Sequence, residues 1–567
     1  MSVMSDKELE AVKRLEKSIL EDGKVDRAEA QILLAFVRPL AADNAEMADF
    51  VKTLEDVLED GVVTAEESIR IGAHLKWLLR EKGPTQPETT FLGRLFKLNG
   101  NRTTVRTEIM AGITTFMTMA YILAVNPHLL SLEGVAEPLG IPKGGVFVAT
   151  ALAAVVGTLL MAFMANYPFV LAPGMGLNAF MAFTVVLTMG YSWQFALLAV
   201  FVEGMVFLAL SLTPVREGIF NAIPISLKRA VAAGIGLFIC LIAMKTAGII
   251  VDNPATLVSM VHFKDVNLHT NGICAILALG GTLITGVLIV KQVKGAILFG
   301  ILATWIAGMV CQATGVYLVD PANGFYDLYP KFTLGNIAGT FAAFGKTFGG
   351  LFDPSGWTHT VNGEVVGASW DLIKSLDFFV VIFAFFFVDL FDTLGTLIGV
   401  SMKGGFLDKN GRLPRISGAL CADSIATSVG AVLGTSTTTT FVESASGVMA
   451  GGKTGLTAAT AAVLFFCALV FAPIFLAIPG FATAPALIIV GYMMLSSCAD
   501  VDWKDAGEAV PAFLAVAAMP FCYSISDGIM FGVISYTVIN ALCGRFRKVH
   551  WIMYILTAVF ILKYALM

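Results

Sequence analysis

From about residue 105 the chain runs as a succession of apolar stretches separated by short polar or glycine-containing breaks. A helix needs about 20 residues to cross about 30 Å of hydrocarbon, and each stretch has roughly that length, so each predicts a membrane span. The pattern places spans near 105–125, 145–165, 170–188, 194–213, 230–248, 272–290, 294–313, 377–399, 416–433, 435–450, 456–478, 482–498, 509–525 and 527–543. A further apolar stretch at 551–567 either crosses or lies along the surface. The loop from about 314 to 376 is long, holds Pro, Gly, Asp and Trp, and has no long apolar run. It is expected outside the cell, partly covering an entrance.

Residues 1–90 follow a different pattern, polar, amphipathic and helical, with no span. They carry a duplication, in which Leu20-Glu-Asp-Gly-Lys-Val-Asp-Arg-Ala-Glu29 recurs as Leu58-Glu-Asp-Gly-Val-Val-Thr-Ala-Glu-Glu67. The Gly-to-Glu spacing resembles the second half of a calcium-binding EF-hand loop, but the early ligand positions fail, because Leu20 and Leu58 offer no oxygen. A small helical interaction or regulatory module is the reading, ended by the linker Gly83-Pro-Thr-Gln-Pro-Glu-Thr-Thr90. The opening Ser5-Asp-Lys-Glu-Leu-Glu10 lacks the basic start and apolar core of a signal peptide, so the N-terminus is expected in the cytoplasm. Basic residues agree. Lys97, Arg102 and Arg106, then Arg216, Lys228 and Arg229, Lys291 and Lys294, Lys403 to Arg415, and Arg545 to Lys548 all fall on the N-terminal side of the span order.

Weak internal repeats relate spans one to seven to spans eight to fourteen. Pro224 and Gly236, twelve residues apart, match Pro479 and Gly491, and Val156-Gly157 leading to Phe169-Val170 matches Val429-Gly430 leading to Phe441-Val442. The third pair of spans is unsuited to unbroken helix: Phe169-Val-Leu-Ala-Pro-Gly-Met-Gly-Leu-Asn178 carries Pro173, Gly174 and Gly176, and Ser436 to Gly447 opens on a β-branched run. Each predicts a short extended segment followed by a half-helix. Non-helical backbone survives at membrane depth only where protein or a watery cavity satisfies it, so the matched breaks point to a binding site.

Composition settles the class. Fifty-seven per cent of the 567 residues are apolar and 14% are charged, against about a quarter charged in globular proteins. The eight cysteines are scattered with no CxxC pair, so neither a metal site nor a disulfide framework is expected. Within the spans stand acids that are costly there: Asp389 and Asp392, three residues apart on similar helix faces, Glu443 at the start of the second half-helix, Glu203 in mid-span and Asp423 near the start of span nine. Carboxyls without matching bases at such depth suit the taking up and release of protons.

Four stretches together resemble one family: Arg106-Thr-Glu-Ile-Met-Ala-Gly-Ile-Thr-Thr-Phe-Met-Thr-Met-Ala-Tyr-Ile-Leu-Ala-Val-Asn-Pro127, Ala172-Pro-Gly-Met-Gly-Leu-Asn-Ala-Phe180, Val388-Asp-Leu-Phe-Asp-Thr-Leu-Gly-Thr-Leu-Ile-Gly-Val400, and Glu443-Ser-Ala-Ser-Gly-Val-Met-Ala-Gly-Gly-Lys-Thr-Gly-Leu-Thr457. They are similar to the AzgA-like hypoxanthine/guanine/adenine permeases, related to the nucleobase–cation symporter-2 transporters, over roughly residues 95–567. The resemblance implies an all-α polytopic membrane protein of about 14 spans in a 7+7 inverted repeat. It implies a core at about 105–213 and 377–478 and a gate at about 214–313 and 479–543, within a transporter domain of 91–567. Residues 1–90 lie outside it.

By the same resemblance Asn178, Asp392 and Glu443 surround the base; Gly176, Phe441 and Ser444 are expected beside them, and the acids Asp392, Glu443, Asp389 and Glu203 within the spans are expected to serve proton coupling. A purine offers ring N–H donors that carboxylates accept. The rings at Phe385–Phe387 and Phe441 can stack on it, although packing is their commoner use. The expected partners are a purine nucleobase, a proton and membrane lipid, in the plasma (inner) membrane. No cofactor, metal or nucleic acid is expected, and a homodimer is compatible with the reading. Competing readings keep the fold with uracil, xanthine or an inorganic anion as cargo, or make the chain a nucleobase sensor signalling through residues 1–90. No HExxH or GxSxG motif suggests an intramembrane enzyme.

Overall fold

The computed structural model describes residues 12, 19, 25–42, 45–58, 63–79, 90–133, 136–213, 224–253, 256–264, 266–320, 325–361, 364–409 and 412–566. The duplicated turns at Gly23 and Gly61 and the linker from Gly83 to Thr89 lie outside them. Before the first span stand α1 (Arg27–Val37), α2 (Ala45–Leu58) and α3 (Ala65–Leu78). They bury a common apolar centre that includes Leu33, Val37, Phe50, Leu54, Ile71 and Leu75. The repeated glutamates have a structural use here. Glu29 and Glu67 occupy the third helical position of α1 and α3 and close capping boxes with Asp26 and Thr64. Their carboxylates accept from the Asp26 and Thr64 backbone N–H groups at 2.9 and 2.8 Å.

The first span is α4 (Val105–Met119) and α5 (Ile122–Leu130), interrupted at Ala120 and Tyr121. There follow α6 (Lys143–Leu160), α7 (Met175–Ala179, continuing in wider turns through Phe180–Thr188), α8 (Trp193–Ser211), α9 (Ile225–Thr246), α10 (Ile273–Val290) and α11 (Ala296–Ala313). Then come α12 (Leu334–Thr347), α13 (Leu376–Gly404), α14 (Ile416–Leu433), α15 (Ser444–Met449), α16 (Gly455–Ala468), α17 (Gly480–Leu495), α18 (Ala506–Phe521), α19 (Ile525–Leu542) and α20 (Trp551–Leu566). Among the described residues eleven helical segments are long and apolar enough to cross a membrane, with shorter apolar helices at Met175–Thr188, Ala506–Phe521 and Trp551–Leu562. Three antiparallel pairs complete the order: β1 (Leu171–Pro173) with β6 (Thr438–Thr440), β2 (Ile250–Asn253) with β3 (Leu257–Met260), and β4 (Thr358–Val361) with β5 (Glu364–Ala368).

The helices pack in two groups. In one, α8 lies along α14 and α16 lies on α4 and α6; in the other, α9 crosses α17 and α18, and α18 runs beside α19. The matched glycines explain how closely α9 and α17 cross. A Cβ on Gly236 would stand 2.6 Å from the Gly491 carbonyl, and a Cβ on Gly491 would stand 2.5 Å from that of Gly236. Only two bare backbones fit, as expected where helices associate in lipid through small residues.

The long loop holds more structure than its sequence suggests. Helix α12 buries little of itself, Thr340 and Thr347 among the rest, and rests on Gly144 and Gly145 at the start of α6. A stripe of small residues leaves no apolar periodicity to read.

Candidate functional site

The two broken spans meet as a miniature sheet buried at the centre of the first helix group. Leu171, Ala172 and Pro173 stand opposite Thr440, Thr439 and Thr438, and all six residues are buried. The ladder extends at both ends, with Phe441 N donating to Val170 O at 3.0 Å and Gly174 N to Thr437 O at 2.9 Å. Strand edges inside a membrane would leave peptide groups unsatisfied, and neighbouring hydroxyls supply partners. Thr158 of α6 exchanges hydrogen bonds with the Leu171 N–H (3.0 Å) and carbonyl (3.2 Å), Thr427 of α14 donates to Thr438 O at 3.1 Å, and Ser444 accepts from Val170 N at 3.0 Å. Helices α6 and α14 come close enough because their facing residues are glycine. A Cβ on Gly157 would stand 3.2 Å from Leu171 Cβ, and one on Gly430 would stand 2.5 Å from Thr438 Oγ1.

At the strand ends the chain turns into helix, and there the acids gather. Asp392 and Glu443 are half-buried, and Asp392 lies close enough to feel the charge of Glu443. The hydroxyl of fully buried Tyr121, at the break between α4 and α5, donates to Glu443 Oε1 at 2.8 Å. Gly174 lets the first strand end approach: a Cβ there would lie 2.7 Å from Thr439 Cγ2 and 3.7 Å from Asp392 Oδ2. Asn178, one turn into α7, is fully buried, donates from Nδ2 to Pro173 O at 3.2 Å, and has no partner on Oδ1. Gly176 faces the other helix group, where a Cβ would meet Ile235 at 2.8 Å and Met494 at 3.9 Å. Asp392, Gly395 and Gly399 share one side of α13. Neither glycine has an atom within 4 Å of where a Cβ would stand, so the helix surface beside Asp392 is open there.

A second set of carboxyls sits behind the strands. Glu203 of α8, Asp389 of α13 and Asp423 of α14 are all fully buried. The Thr393 hydroxyl lies 2.7 Å from Asp423 Oδ2, 2.6 Å from Thr439 Oγ1 and 3.4 Å from Asp389 Oδ1, and Thr440 Oγ1 donates to Asp423 Oδ1 at 3.2 Å. Glu203 and Asp389 lie within hydrogen-bonding reach of each other. No hydroxyl or N–H donates to either oxygen of Glu203 or to Asp389 Oδ2. Two bare carboxylates this near each other, away from water, would repel strongly unless a proton lay between them.

The short helix α15 is fixed from the opposite side. Glu108 of α4, fully buried, accepts from Lys453 N (2.9 Å), Thr454 N (3.2 Å), Thr454 Oγ1 (2.8 Å) and Thr457 Oγ1 (2.7 Å) at the start of α16, and from Thr103 Oγ1 (2.7 Å) before α4. Gly447 allows α15 to rest directly on Ala111 and Thr115.

The residues expected at the site therefore divide. Asp392, Glu443, Asn178 and Gly176 lie around the strand ends, whereas Ser444 spends its hydroxyl oxygen on the strand backbone and Glu203 and Asp389 belong to the cluster behind. The phenylalanines are packing residues in this structure: Phe385 meets Phe180 edge-on at 4.7 Å between centroids, Phe386 packs on Phe207, Phe387 lies beside Phe383, and Phe441 is buried in the main apolar cluster. Tyr121 and Thr393 were not singled out from the sequence. Both lie inside the motif stretches, one at a helix break and one next to an acid, which is the signal that would have found them.

The permease family profile (Xan_ur_permease) matches residues 106–531. The chain is 43% identical over 472 residues to the guanine/hypoxanthine permease PbuG of Bacillus subtilis, covering 83% of this chain and 98% of that protein. It is 42% identical over 474 residues to PbuO of the same organism (83% and 99%), and 40% identical over 480 residues to the adenine permease AdeP of Escherichia coli (83% and 95%). Among solved structures it is similar in fold to the transmembrane domain of the cyanobacterial bicarbonate transporter BicA, with a TM-score of 0.50 at 13% identity over 76% of this chain and 97% of that one. It is also similar to SLC26A9, with a TM-score of 0.51 at 10% identity over 82% and 73%. The resemblance read from the four motifs is borne out: this multi-span membrane protein belongs to the xanthine/uracil-type permease family, whose guanine/hypoxanthine and adenine permeases it matches at 40–43% identity.

Proposed function

We propose that this protein imports purine nucleobases by proton symport. The observation that carries the reading is the meeting of Asp392 and Glu443 at the ends of two antiparallel strand tips, with the α13 surface at Gly395 and Gly399 open beside them. Purine ring N–H groups are donors, and two acceptor carboxyls side by side suit them, whereas an inorganic anion would be repelled. The unpaired Asn178 Oδ1 is a further acceptor near the first strand end. The relatives' names, guanine/hypoxanthine and adenine permeases, support the purine class.

The architecture under this reading is a 7+7 inverted repeat of about 14 spans, with residues 1–90 and the basic loops in the cytoplasm. The first helix group, with the site, is the core, and the second is the gate. Gly176 against Ile235 marks the surface on which they slide. Proton coupling follows from the two sets of carboxyls: Asp392 and Glu443 beside the base, and Glu203 with Asp389 behind the strands, where the Thr393 hydroxyl lies 3.4 Å from Asp389 Oδ1 and 2.6 Å from Thr439 Oγ1. When the core moves against the gate, the site opens to one side of the membrane and closes to the other.

The test is uptake of radiolabelled hypoxanthine by cells lacking their own purine carriers, at two external pH values, with and without sodium, and against competing adenine, guanine, xanthine and uracil. Faster uptake at the lower pH, without need of sodium and blocked by purines but not uracil, is expected. Sodium dependence or uracil preference would overturn the assignment.

A further inference from the structure

We propose that the α1–α3 module is a reversible clamp on α13, the helix that carries Asp389 and Asp392, and that its docking restrains the transport cycle. The relatives are matched over 98–99% of their own length while about a sixth of this chain stays unmatched, and the family profile begins only at residue 106. The permease body thus has its own parts, and the module is an addition to it.

Helix α3 has two working faces. Ile71, Leu75 and Leu78 face the module's own apolar centre. Ile69, Ala73 and Lys76, at i, i+4 and i+7, face the membrane body. Ala73 is buried in one apolar cluster with Leu394, Leu397 and Val400 of α13 and with Leu407 and Leu413 of the loop after it, and Ile69 packs on the same cluster. Lys76 Nζ donates to Met402 O at 2.7 Å and to Lys403 O at 3.4 Å. Those carbonyls end α13, where unpaired C=O groups and the negative end of the helix dipole favour a cation. From α2, Asp49 Oδ2 pairs with Lys409 Nζ at 2.7 Å. The module therefore holds both the end of α13 and the loop leading to α14, the helix of Asp423.

The place and size of this contact suggest control more than permanent support. Lys403 stands eleven residues beyond Asp392 on the same helix, about 16 Å along it at 1.5 Å per residue. A body attached to α13 there moves with it and must be accommodated whenever that helix shifts against its neighbours. The contact is also small: the Asp49 and Lys409 side chains remain 47% and 46% exposed, the sort of pair that opens readily in water. Docking favours the arrangement of α13 seen here, and undocking frees α13 to move.

The inference rests on the transport reading for its activity readout, and the experiment separates the two. Cysteines replace Asp49 and Lys409 in the full chain, and a short reducible bis-maleimide joins them, with each single-cysteine variant as control. Joining is read as a gel shift, independent of cargo, and hypoxanthine uptake is read before and after reduction. We expect the pair to join, uptake to fall at least threefold, and reduction to restore it. Without the linker, Lys76→Ala and removal of residues 1–90 should each raise uptake about twofold or more. Failure of the pair to join in a protein that still transports would overturn the docking. Joined protein with unchanged or faster uptake would overturn the restraint. If wild type takes up no purine while the pair still joins, the cargo is wrong and the docking stands.

Discussion

Glu203 and Asp389 differ from the other acids in that neither Glu203 oxygen nor Asp389 Oδ2 has a hydroxyl or N–H partner. Glu203→Gln keeps the volume and lets an amide N–H donate permanently to Asp389, replacing the exchangeable proton. Uptake driven by a pH gradient should then fall at least tenfold, about 1.4 kcal/mol, and lose its dependence on external pH. Exchange of labelled for unlabelled purine, which needs no net proton movement, should persist. Loss of both would assign Glu203 to folding or binding instead. Tyr121→Phe removes one hydroxyl donor to a carboxylate, worth about 1.5–3 kcal/mol for a charged acceptor, and is expected to raise KM about tenfold with little change in protein yield. The acids were legible in the sequence because charge is conspicuous among apolar residues. Their division into two sets was not, since Asp389 and Asp392 are three residues apart and only the packing of α8 and α14 decides which carboxyl turns which way.

At the scale of elements, the breaks at Pro173–Gly176 and in the threonine run from Thr437 to Thr440 were readable because proline, glycine and β-branched residues oppose helix. Their pairing across 269 positions, Leu171 with Thr440 and onward, could be suspected only from the repeat. Helix α15, six residues long, is much shorter than its 29-residue neighbour α13, and the sequence did not distinguish a half-helix from a turn and a half. The glycine pair at the α9–α17 crossing gives a direct check. Gly236→Ala would press a Cβ to 2.6 Å from the Gly491 carbonyl, and such overpacking costs about 1–3 kcal/mol. The denaturation midpoint of the detergent-solubilised protein should fall, whereas Gly280→Ala in α10, with nothing within 4 Å of its Cβ, should leave it unchanged or slightly raised.

For the whole molecule the new element is the attachment of the module to the permease body. Its sequence showed helices and a duplication but nothing about docking, because Ala73 and Lys76 look like ordinary surface positions until α13 is placed against them. The module also carries a pH-sensitive residue. His74 of α3 is buried beside Thr53 and Phe50, with Nδ1 3.2 Å from Thr53 Oγ1 and Nε2 unpaired. Burial holds its pKa below the usual 6.5, against the opposing pull of Asp49 and Glu46 and with the help of Lys409 and Arg70. The unfolded module therefore takes up a proton at higher pH than the folded one. Its stability is complete above about pH 6.5 and declines as pH falls from there toward the depressed value. Limited proteolysis of the full chain should release the module faster at pH 5.5 than at pH 7.5, and His74→Leu should remove the difference.

The carboxyl pair at the strand tips as the seat of the base is tested most directly by equilibrium binding of radiolabelled hypoxanthine to the purified protein. Asp392→Asn and Glu443→Gln should each weaken binding by about 30-fold or more, since a charge-assisted hydrogen bond is worth about 2 kcal/mol or more, while both variants keep the wild-type denaturation midpoint. Wild-type affinity in either variant would contradict the placement of the base between Asp392 and Glu443.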